Sequence, residues 1–382
     1  MHHSPGSRAG VPHFSLTCGG PCYRLLSATR LWRPTLAGAL KAGVLLALLT
    51  WLPLLLGVDA STRAAFLYDV GVHVRLLFVV PLLMAAEVAI DRRLKVAVAE
   101  LELEELVDAD NRESAAAAVR SAHRLRDSGW GEGMLALAVV VLCSAEILWV
   151  SPRDPWMYDG PQRSFSGLWY SGVAIALYRF LLLRWLWRLV IWTALLTWLT
   201  RAPLKLQAAH PDAVGGLSVL VEAQQSFGWL AFAMGSALAG ALTSQVRYSG
   251  ASVLHYNWHV AVFVASTPLV LLAPVFVFCW PLERLRRRTR ARYVAMLADF
   301  SRRYETAWLT PASARMPLGS PDPSSHADLI TSFDRSVAVR MFPFTRFDFI
   351  FLLGCAGVPL LPFLMQGIPP EQMLAHLRAL LG

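Results

Sequence analysis

Long apolar runs alternate with charged segments along this chain, and seven of the runs approach the length of a membrane span. An α-helix needs about 20 residues to cross a hydrocarbon core of roughly 30 Å. The runs cover residues 37–57, 71–90, 134–150, 167–200, 227–246, 259–282 and 347–366. The pattern predicts an all-α fold: a polytopic helical membrane bundle of six or seven transmembrane helices, with helical extensions in the cytoplasm.

The fourth run, residues 167–200, is long enough to raise a question about its path. As one helix it would measure about 50 Å at a rise of roughly 1.5 Å per residue. It must then either tilt strongly or protrude from the membrane, because two separate spans in this run would each be too short.

Charged segments divide the chain into four parts. Residues 1–36 form a basic terminus that is expected to be disordered at least up to Cys22, because it is rich in Pro, Gly, Ser and Arg. Residues 37–282 hold six spans and a predicted helical hairpin over 92–130, which continues the second span. A capping box at 110–113 is expected to open the second helix of that hairpin. Residues 347–382 hold the last span and a short terminal helix over 373–381.

The remaining part is residues 283–346. Its pattern predicts a basic helix, a flexible loop over 310–326 and a short helix over 328–341. Apolar residues recur along the basic helix at spacings of 4, 3, 4 and 4: Tyr293, Leu297, Phe300, Tyr304 and Trp308. This apolar face is expected to pack on the first hairpin or to lie at the membrane surface. The arginines on the opposite face leave a second interpretation open, in which the helix binds anionic lipid or a partner.

Composition and charge support a membrane location and indicate an orientation. The chain is 55% hydrophobic and 16% charged, whereas a soluble domain carries about 25% charged residues. With the N-terminus in the cytoplasm, 25 of the 35 Lys and Arg lie in cytoplasmic segments and 5 on the opposite side, as the positive-inside rule requires. The C-terminus is then periplasmic. This asymmetry explains the net charge of +9 without nucleic acid, and it makes anionic lipids the predicted partners.

Six charged residues within the predicted spans are candidates for a functional or structural role, because a charge there is costly and therefore informative. They are Arg75, Glu87, Glu146, Arg179, Arg184 and Arg188. Counting positions along straight helices pairs Arg75 with Glu146 near the outer surface and Glu87 with Arg184 near the inner one. It leaves Arg179 near mid-membrane without a carboxylate at its level. The charges then either hold helices together or mark an anion path beside the fourth span.

The loop HPDAVGG, residues 210–216, has the residue types of both a turn and a binding site. Asp212 suits a turn, and Gly215 and Gly216 tolerate positive φ angles. The helix expected to begin near Leu217 would present free backbone N–H groups to an anion. Turn chemistry explains every residue except His210, so the choice between hinge and site rests on that histidine.

Two other patterns each allow a structural and a functional interpretation. His255 and His259 are four residues apart, which suits a two-histidine metal pair, although an interfacial aromatic belt explains them better and no metal site is predicted. Small residues in the fifth span, among them Ala233, Ala237 and Gly240, permit close helix packing within one subunit or in a homo-oligomer.

The chain resembles uncharacterised bacterial multi-pass membrane proteins in two features. One is the motif H-P-D-x-x-G-G-L, His210 to Leu217, between two spans, and the other is the basic helix after the sixth span. The resemblance implies a location in the bacterial inner membrane and carries no known activity.

Motifs of common catalytic chemistry are absent from the sequence, including a P-loop, G-x-S-x-G and HExxH, and no catalytic residue or cofactor is predicted. The leading hypothesis is an oligomeric channel or transporter with an anionic preference. The alternative is a membrane-anchored sensor or scaffold whose cytoplasmic helices bind a partner or anionic lipid. A lipid-modifying enzyme is the third possibility.

Overall fold

In a computed structural model of the chain, the described residues are 14–28, 33–103, 106–107, 111–149, 154–202, 204–308 and 322–366. Helices make up most of them, and a two-residue hairpin, Tyr158–Asp159 with Gln162–Arg163, is the strand structure in this part of the chain. The α-helices, in chain order, are α1 Pro21–Ala28, α2 Leu36–Gly57, α3 Arg63–Leu67, α4 Val70–His73, α5 Val80–Leu103, α6 Arg112–Asp127, α7 Gly129–Trp149, α8 Phe165–Trp169, α9 Ile175–Arg201, α10 Ser218–Gln225, α11 Gly228–Ser249, α12 Asn257–Leu272, α13 Cys279–Trp308, α14 Asp322–Val337, α15 Arg346–Gly357 and α16 Leu361–Met365.

Seven helical stretches of the described chain are long and apolar enough to cross a membrane, which confirms the predicted all-α bundle. They are Leu36–Gly57, Val70–Leu101, Arg112–Trp149, Phe165–Arg201, Ser218–Ser249, Val253–Thr306 and Arg346–Met365. Below, the inner end of the bundle is the one that carries α1 and residues 204–217, and the outer end carries residues 154–164. These names follow the predicted orientation.

The fourth span is one continuous helix, Phe165–Arg201, interrupted only by a π-helical segment, Tyr170–Ala174. Along its last turns, Trp192, Leu195 and Leu196 pack in the core of the inner end, where α6 lies against this helix. The choice between a strong tilt and protrusion from the membrane stays a prediction.

Two helices follow the apolar part of the second span as predicted, but α6 packs mainly on α9 of the fourth span and not on α5. The second span continues without a break through α5 to Leu103, and α6 ends at Asp127, close to the expected stop at Gly129. The N-cap of α6 is Asn111, whose side chain makes no capping hydrogen bond. Asp110, the first residue of the predicted capping box, lies outside the described residues.

The expectation of disorder up to Cys22 is wrong for residues 14–22. Phe14 and Leu16 are buried, and Phe14 stacks on His123 with ring centroids 5.8 Å apart. The buried Asp91 carboxylate explains the order, because Oδ1 accepts the backbone N–H groups of Leu16 at 2.7 Å and Thr17 at 3.0 Å. Composition alone gives no sign of these long-range contacts. Residues 1–13 lie outside the described residues.

The basic helix after the sixth span exists as α13, but its apolar face has another partner than expected. It packs on α14 rather than on the first hairpin, with the rings of Tyr293 and Phe333 6.2 Å apart. The helix predicted over 328–341 is found as α14, Asp322–Val337. Most of the predicted loop 310–326 and all of the helix predicted over 373–381 lie outside the described residues.

Small residues of the fifth span pack against other spans of the same subunit. A Cβ atom on Gly235 would lie 2.4 Å from the backbone oxygen of Ala356 in the last span, and Gly240 lies against Gly71 and Val74 of the second. Ala233 and Ala237 are also buried. The structure therefore accounts for this stripe by internal packing, and a homo-oligomer stays a prediction.

Candidate functional site

A polar cavity of about 290 Å³ lies at the outer end of the bundle. Spans two to five line it together with the loop that follows the third span. Its ionisable and polar lining residues are Asp69, Arg75, Glu146, Asp154, Tyr170, Arg179, Ser244 and Tyr248. A cavity of this size, at the lower limit of ordinary ligand pockets, has room for a small solute.

Asp69 organises the floor of this cavity. It is the N-cap of α4, where Oδ1 accepts the backbone N–H of Val72 at 3.3 Å, and it also accepts the Ser244 hydroxyl at 2.6 Å. Its second oxygen, Oδ2, accepts the indole N–H of Trp156 at 3.1 Å. The Ser244 hydroxyl in turn accepts the backbone N–H of Gly71 at 2.8 Å. Asp69 therefore ties the second and fifth spans to the outer loop.

The two arginines of the cavity have partners that differ from the predicted ones. Glu146 pairs with Arg179 at 2.5 Å, so the prediction that Arg179 lacks a carboxylate is wrong. Arg75 donates instead to the hydroxyl of Tyr170. Among the described residues, no carboxylate lies within ion-pair distance of Arg75.

The counted pairing fails because depth alone does not determine which side chains face each other. Glu146 of the third span faces Arg179 of the fourth, whereas Arg75 of the second span faces Tyr170. Two π-helical segments, Val74–Val79 and Tyr170–Ala174, also interrupt the second and fourth spans. A π-turn adds a residue to one helical turn and rotates the positions that follow by about 100°, and nothing in the local sequence reveals it.

Asp154 lines the cavity from the loop that follows the third span. Burial raises its pKa to about 6, and the nearby Asp69 carboxylate acts in the same direction, while Arg75 opposes them. The charge of the outer cavity therefore changes within the physiological pH range.

A second cluster of charges lies buried near the inner end. Arg184 Nη1 is 2.8 Å from Glu87 Oε1, which confirms the predicted pair, and Arg188 Nη1 is 2.9 Å from the same oxygen. Arg184 Nε reaches Glu132 Oε1 at 3.0 Å. The four side chains carry two positive and two negative charges, so this cluster is neutral overall, and it joins the second, third and fourth spans.

Glu132 is the member of the inner cluster that the sequence did not reveal. It precedes the apolar run that was expected to start at residue 134, whereas α7 already begins at Gly129. An acidic residue one turn ahead of an apolar run was the available signal. Its other oxygen, Oε2, accepts the backbone N–H of Cys22 at 2.6 Å, which connects the cluster to the N-terminal segment.

The HPDAVGG loop is a turn organised by the Asp212 carboxylate. That carboxylate accepts backbone N–H groups of Val214 at 2.8 Å, Gly216 at 2.9 Å and Ser218 at 3.2 Å. Gly215 and Gly216 adopt φ angles of 71° and 94°. Because Asp212 itself occupies the N-terminus of α10, the chain's own carboxylate fills the place considered for a bound anion.

His210, the residue that turn chemistry left unexplained, lies beside the same carboxylate. Its Nδ1 is 2.8 Å from Asp212 Oδ1. Burial would raise the pKa of Asp212, but the hydrogen bonds from Val214, Gly216 and His210 outweigh it and hold that pKa below its ordinary value. Arg340 adds a hydrogen bond to the backbone oxygen of Asp212 at 3.1 Å, so the loop is tied to the start of the last span.

His255 and His259 flank Tyr256 at the outer end, with ring centroids 5.2 and 5.7 Å from it. His255 lies in a 3-10 turn and His259 in α12, and both are exposed. No group of three His, Cys, Asp or Glu residues in the described part of the chain is placed to hold a metal ion.

Comparison of the chain with protein-family models, curated protein sequences and solved structures finds no match. The resemblance based on the H-P-D-x-x-G-G-L loop therefore stays a prediction. What the fold and the sites define is a class: a multi-pass α-helical membrane protein with one neutral, buried charge cluster and one polar cavity in which Arg75 has no ion-pair partner among the described residues.

We predict that Glu87→Gln destabilises the protein by about 3–5 kcal/mol, because it leaves the buried guanidiniums of Arg184 and Arg188 with a single carboxylate. Thermal unfolding in detergent micelles measures the effect. Glu113→Gln is the matched control, since it breaks an ion pair with Arg120 in which Glu113 is 83% exposed; it should change stability by less than about 0.5 kcal/mol. Equal losses in the two variants would contradict the role given to the inner cluster.

We predict that Asp212→Asn lowers stability at neutral pH by about 1–3 kcal/mol, since three backbone N–H groups lose an ionised acceptor. Because the folded pKa of Asp212 is lowered, its contribution is present above the unfolded pKa of about 3.9 and is lost as pH falls through the folded value. The difference between wild type and variant should therefore shrink below about pH 4. His210→Ala, measured alongside, should have a smaller effect; a larger one would point to a separate role for the histidine.

Proposed function

We propose that this protein carries a small anion or carboxylate across its membrane and that Arg75 in the outer cavity binds it. One observation supports this most directly: the Arg75 guanidinium lines a cavity of about 290 Å³ and has only the Tyr170 hydroxyl as a hydrogen-bond partner among the described residues. A guanidinium keeps its proton, so an arginine within a span requires an anion, water or several polar groups.

A carrier that alternates between two states fits the packing better than an open channel. Between Arg75 and Glu87 the second span buries Leu76, Val79 and Leu83 almost completely. Below them the inner charge cluster is equally buried. A solute in the outer cavity would need these contacts to open before it reached the inner end, and the structure corresponds in this proposal to an outward-facing state.

The proposed location is a bacterial inner membrane, which the resemblance of the H-P-D-x-x-G-G-L loop implies. The charge asymmetry supports an orientation with the N-terminus in the cytoplasm and the C-terminus in the periplasm. A homo-oligomer remains part of the proposal as well, with its interface on a surface other than the small-residue stripe of α11, which packs internally.

A membrane-anchored sensor or scaffold is the second candidate, and α13 favours it. This helix extends through 30 residues, and Arg288, Arg290 and Arg292 are exposed on it. Such a surface suits an acidic partner or anionic lipid. Flux measurements separate the two candidates, since a scaffold carries no solute.

We expect purified protein in liposomes to take up at least one of three probes, chloride, phosphate or acetate, faster than protein-free liposomes. Arg75→Gln should raise the apparent KM by about 30-fold or more, because it removes the charge that binds the anion. The matched control is Arg247→Gln, which alters an outer-end arginine that lies over the ring of Tyr68 and does not line the cavity. Absence of flux for all probes, or equal loss in both variants, would contradict the proposal.

We expect uptake to increase as the pH on the outer side falls through about 6, where Asp154 becomes protonated. Loss of this negative charge makes the cavity, which also contains Asp69, Glu146, Arg75 and Arg179, more favourable to an anion by about tenfold in affinity. Uptake by Asp154→Asn should be high at every pH between 5 and 8. If the variant keeps the pH dependence of the wild type, Asp154 is not its cause.

A further inference from the structure

A large cavity lies at the inner end and opens sideways between the first and last spans. Its volume is about 1260 Å³, above the range of roughly 300–1,000 Å³ that is usual for small-molecule sites. The walls come from α2, α5, α10, α11 and α15. We call it the lateral cleft.

Apolar side chains line the part of the lateral cleft that faces the bilayer. Leu82 and Phe232 are half-buried, and Trp229 and Phe351 are 43% and 49% exposed. In a membrane protein, such surfaces contact acyl chains instead of water. The cleft is therefore a recess into which hydrocarbon chains can enter from the side.

Two arginines mark the mouth of the lateral cleft. Arg92 and Arg93 follow the apolar part of the second span and are exposed. No carboxylate among the described residues lies within ion-pair distance of either arginine. Their neighbour Asp91 points to the other side of the helix, where it binds Ser15 and Lys95. Both guanidiniums are therefore available at the level where lipid headgroups lie.

One acidic residue, Glu222, also lines the lateral cleft, so the three charges sum to one positive charge. The nearby Asp348 is already engaged, because its carboxylate caps α15 through Thr345 and accepts a hydrogen bond from Gln225. The surplus of positive charge favours an anionic headgroup over a zwitterionic one.

From this combination we infer that the lateral cleft binds one anionic glycerophospholipid from the adjacent leaflet. Arg92 and Arg93 hold the phosphate, and the acyl chains lie along Trp229, Phe232 and Phe351. The cleft is concave, so this lipid is held in place and differs from the lipids that surround a convex helical surface. The site is separate from the outer cavity, and it is independent of transport.

The test is native mass spectrometry of the full-length protein in detergent, with phosphatidylglycerol and phosphatidylcholine of identical acyl chains added in competition. We expect the wild type to retain one phosphatidylglycerol in preference to phosphatidylcholine. Arg92→Gln combined with Arg93→Gln should weaken phosphatidylglycerol binding by about 30-fold, since each arginine near a membrane surface adds roughly a factor of five. The matched control combines Arg63→Gln with Arg247→Gln, two exposed arginines at the outer end that do not line the cleft, and should leave binding unchanged.

A second variant tests the apolar part of the cleft without altering its charge. Ala89, half-buried on the wall, is replaced by Trp, which should fill the recess and reduce binding of both lipids. The inference is overturned if the wild type shows no preference between the lipids, a result that depends on no variant. It is also overturned if the two cleft variants, folded as judged by gel filtration and melting temperature, bind phosphatidylglycerol as well as the wild type does.

Discussion

Arg184 and Arg188 enter the bundle four residues apart on the fourth span, and Glu87 of the second span lies within 3 Å of both guanidiniums. A charge in this position is tolerated only when its partners are fixed, because desolvation of one ion outweighs a loosely held contact. Glu132 completes the neutralisation and ties in the third span. The relative positions of three spans are thus set by one buried ion cluster, and the N-terminal segment depends on it through Cys22.

At the outer end, the charges within the spans are compensated in a different way. There Glu146 neutralises Arg179, while Asp69 is engaged by hydroxyl, indole and backbone donors, and Arg75 keeps only a tyrosine hydroxyl. The inner cluster is neutral and buried, although its Arg188 Nη1 and Nη2 make no hydrogen bond among the described residues. The outer cluster opens into a cavity in which Arg75 has no ion-pair partner among the described residues. This difference between the two ends supports a binding function at the outer end. The presence of charges within spans would not support it alone.

Sequence reasoning succeeded where the signal is local and periodic. Apolar runs predicted seven spans and the long fourth helix, and depth counting paired Glu87 with Arg184. Depth counting failed for Arg75 and Arg179 because depth does not determine which helix faces meet. The expectation of disorder failed for residues 14–22 because their order comes from Asp91, Asp127 and Glu132, more than 70 positions away in the chain. Both failures concern tertiary contacts that the local pattern does not encode.

Several carboxylates at the inner end accept hydrogen bonds from backbone N–H groups. Asp91 accepts those of Leu16 and Thr17, and Asp127 accepts that of Gly20. Glu132 accepts the N–H of Cys22, and Asp212 accepts the N–H of Ser218 at the start of α10. Three of these four carboxylates, Asp91, Asp127 and Glu132, hold residues 14–22 against the ends of the second and third spans. In the proposed carrier, an inward-facing state would have to break these hydrogen bonds or move the segment together with the helices. Because the bonds are charge-assisted, they would then contribute to the barrier between the two states.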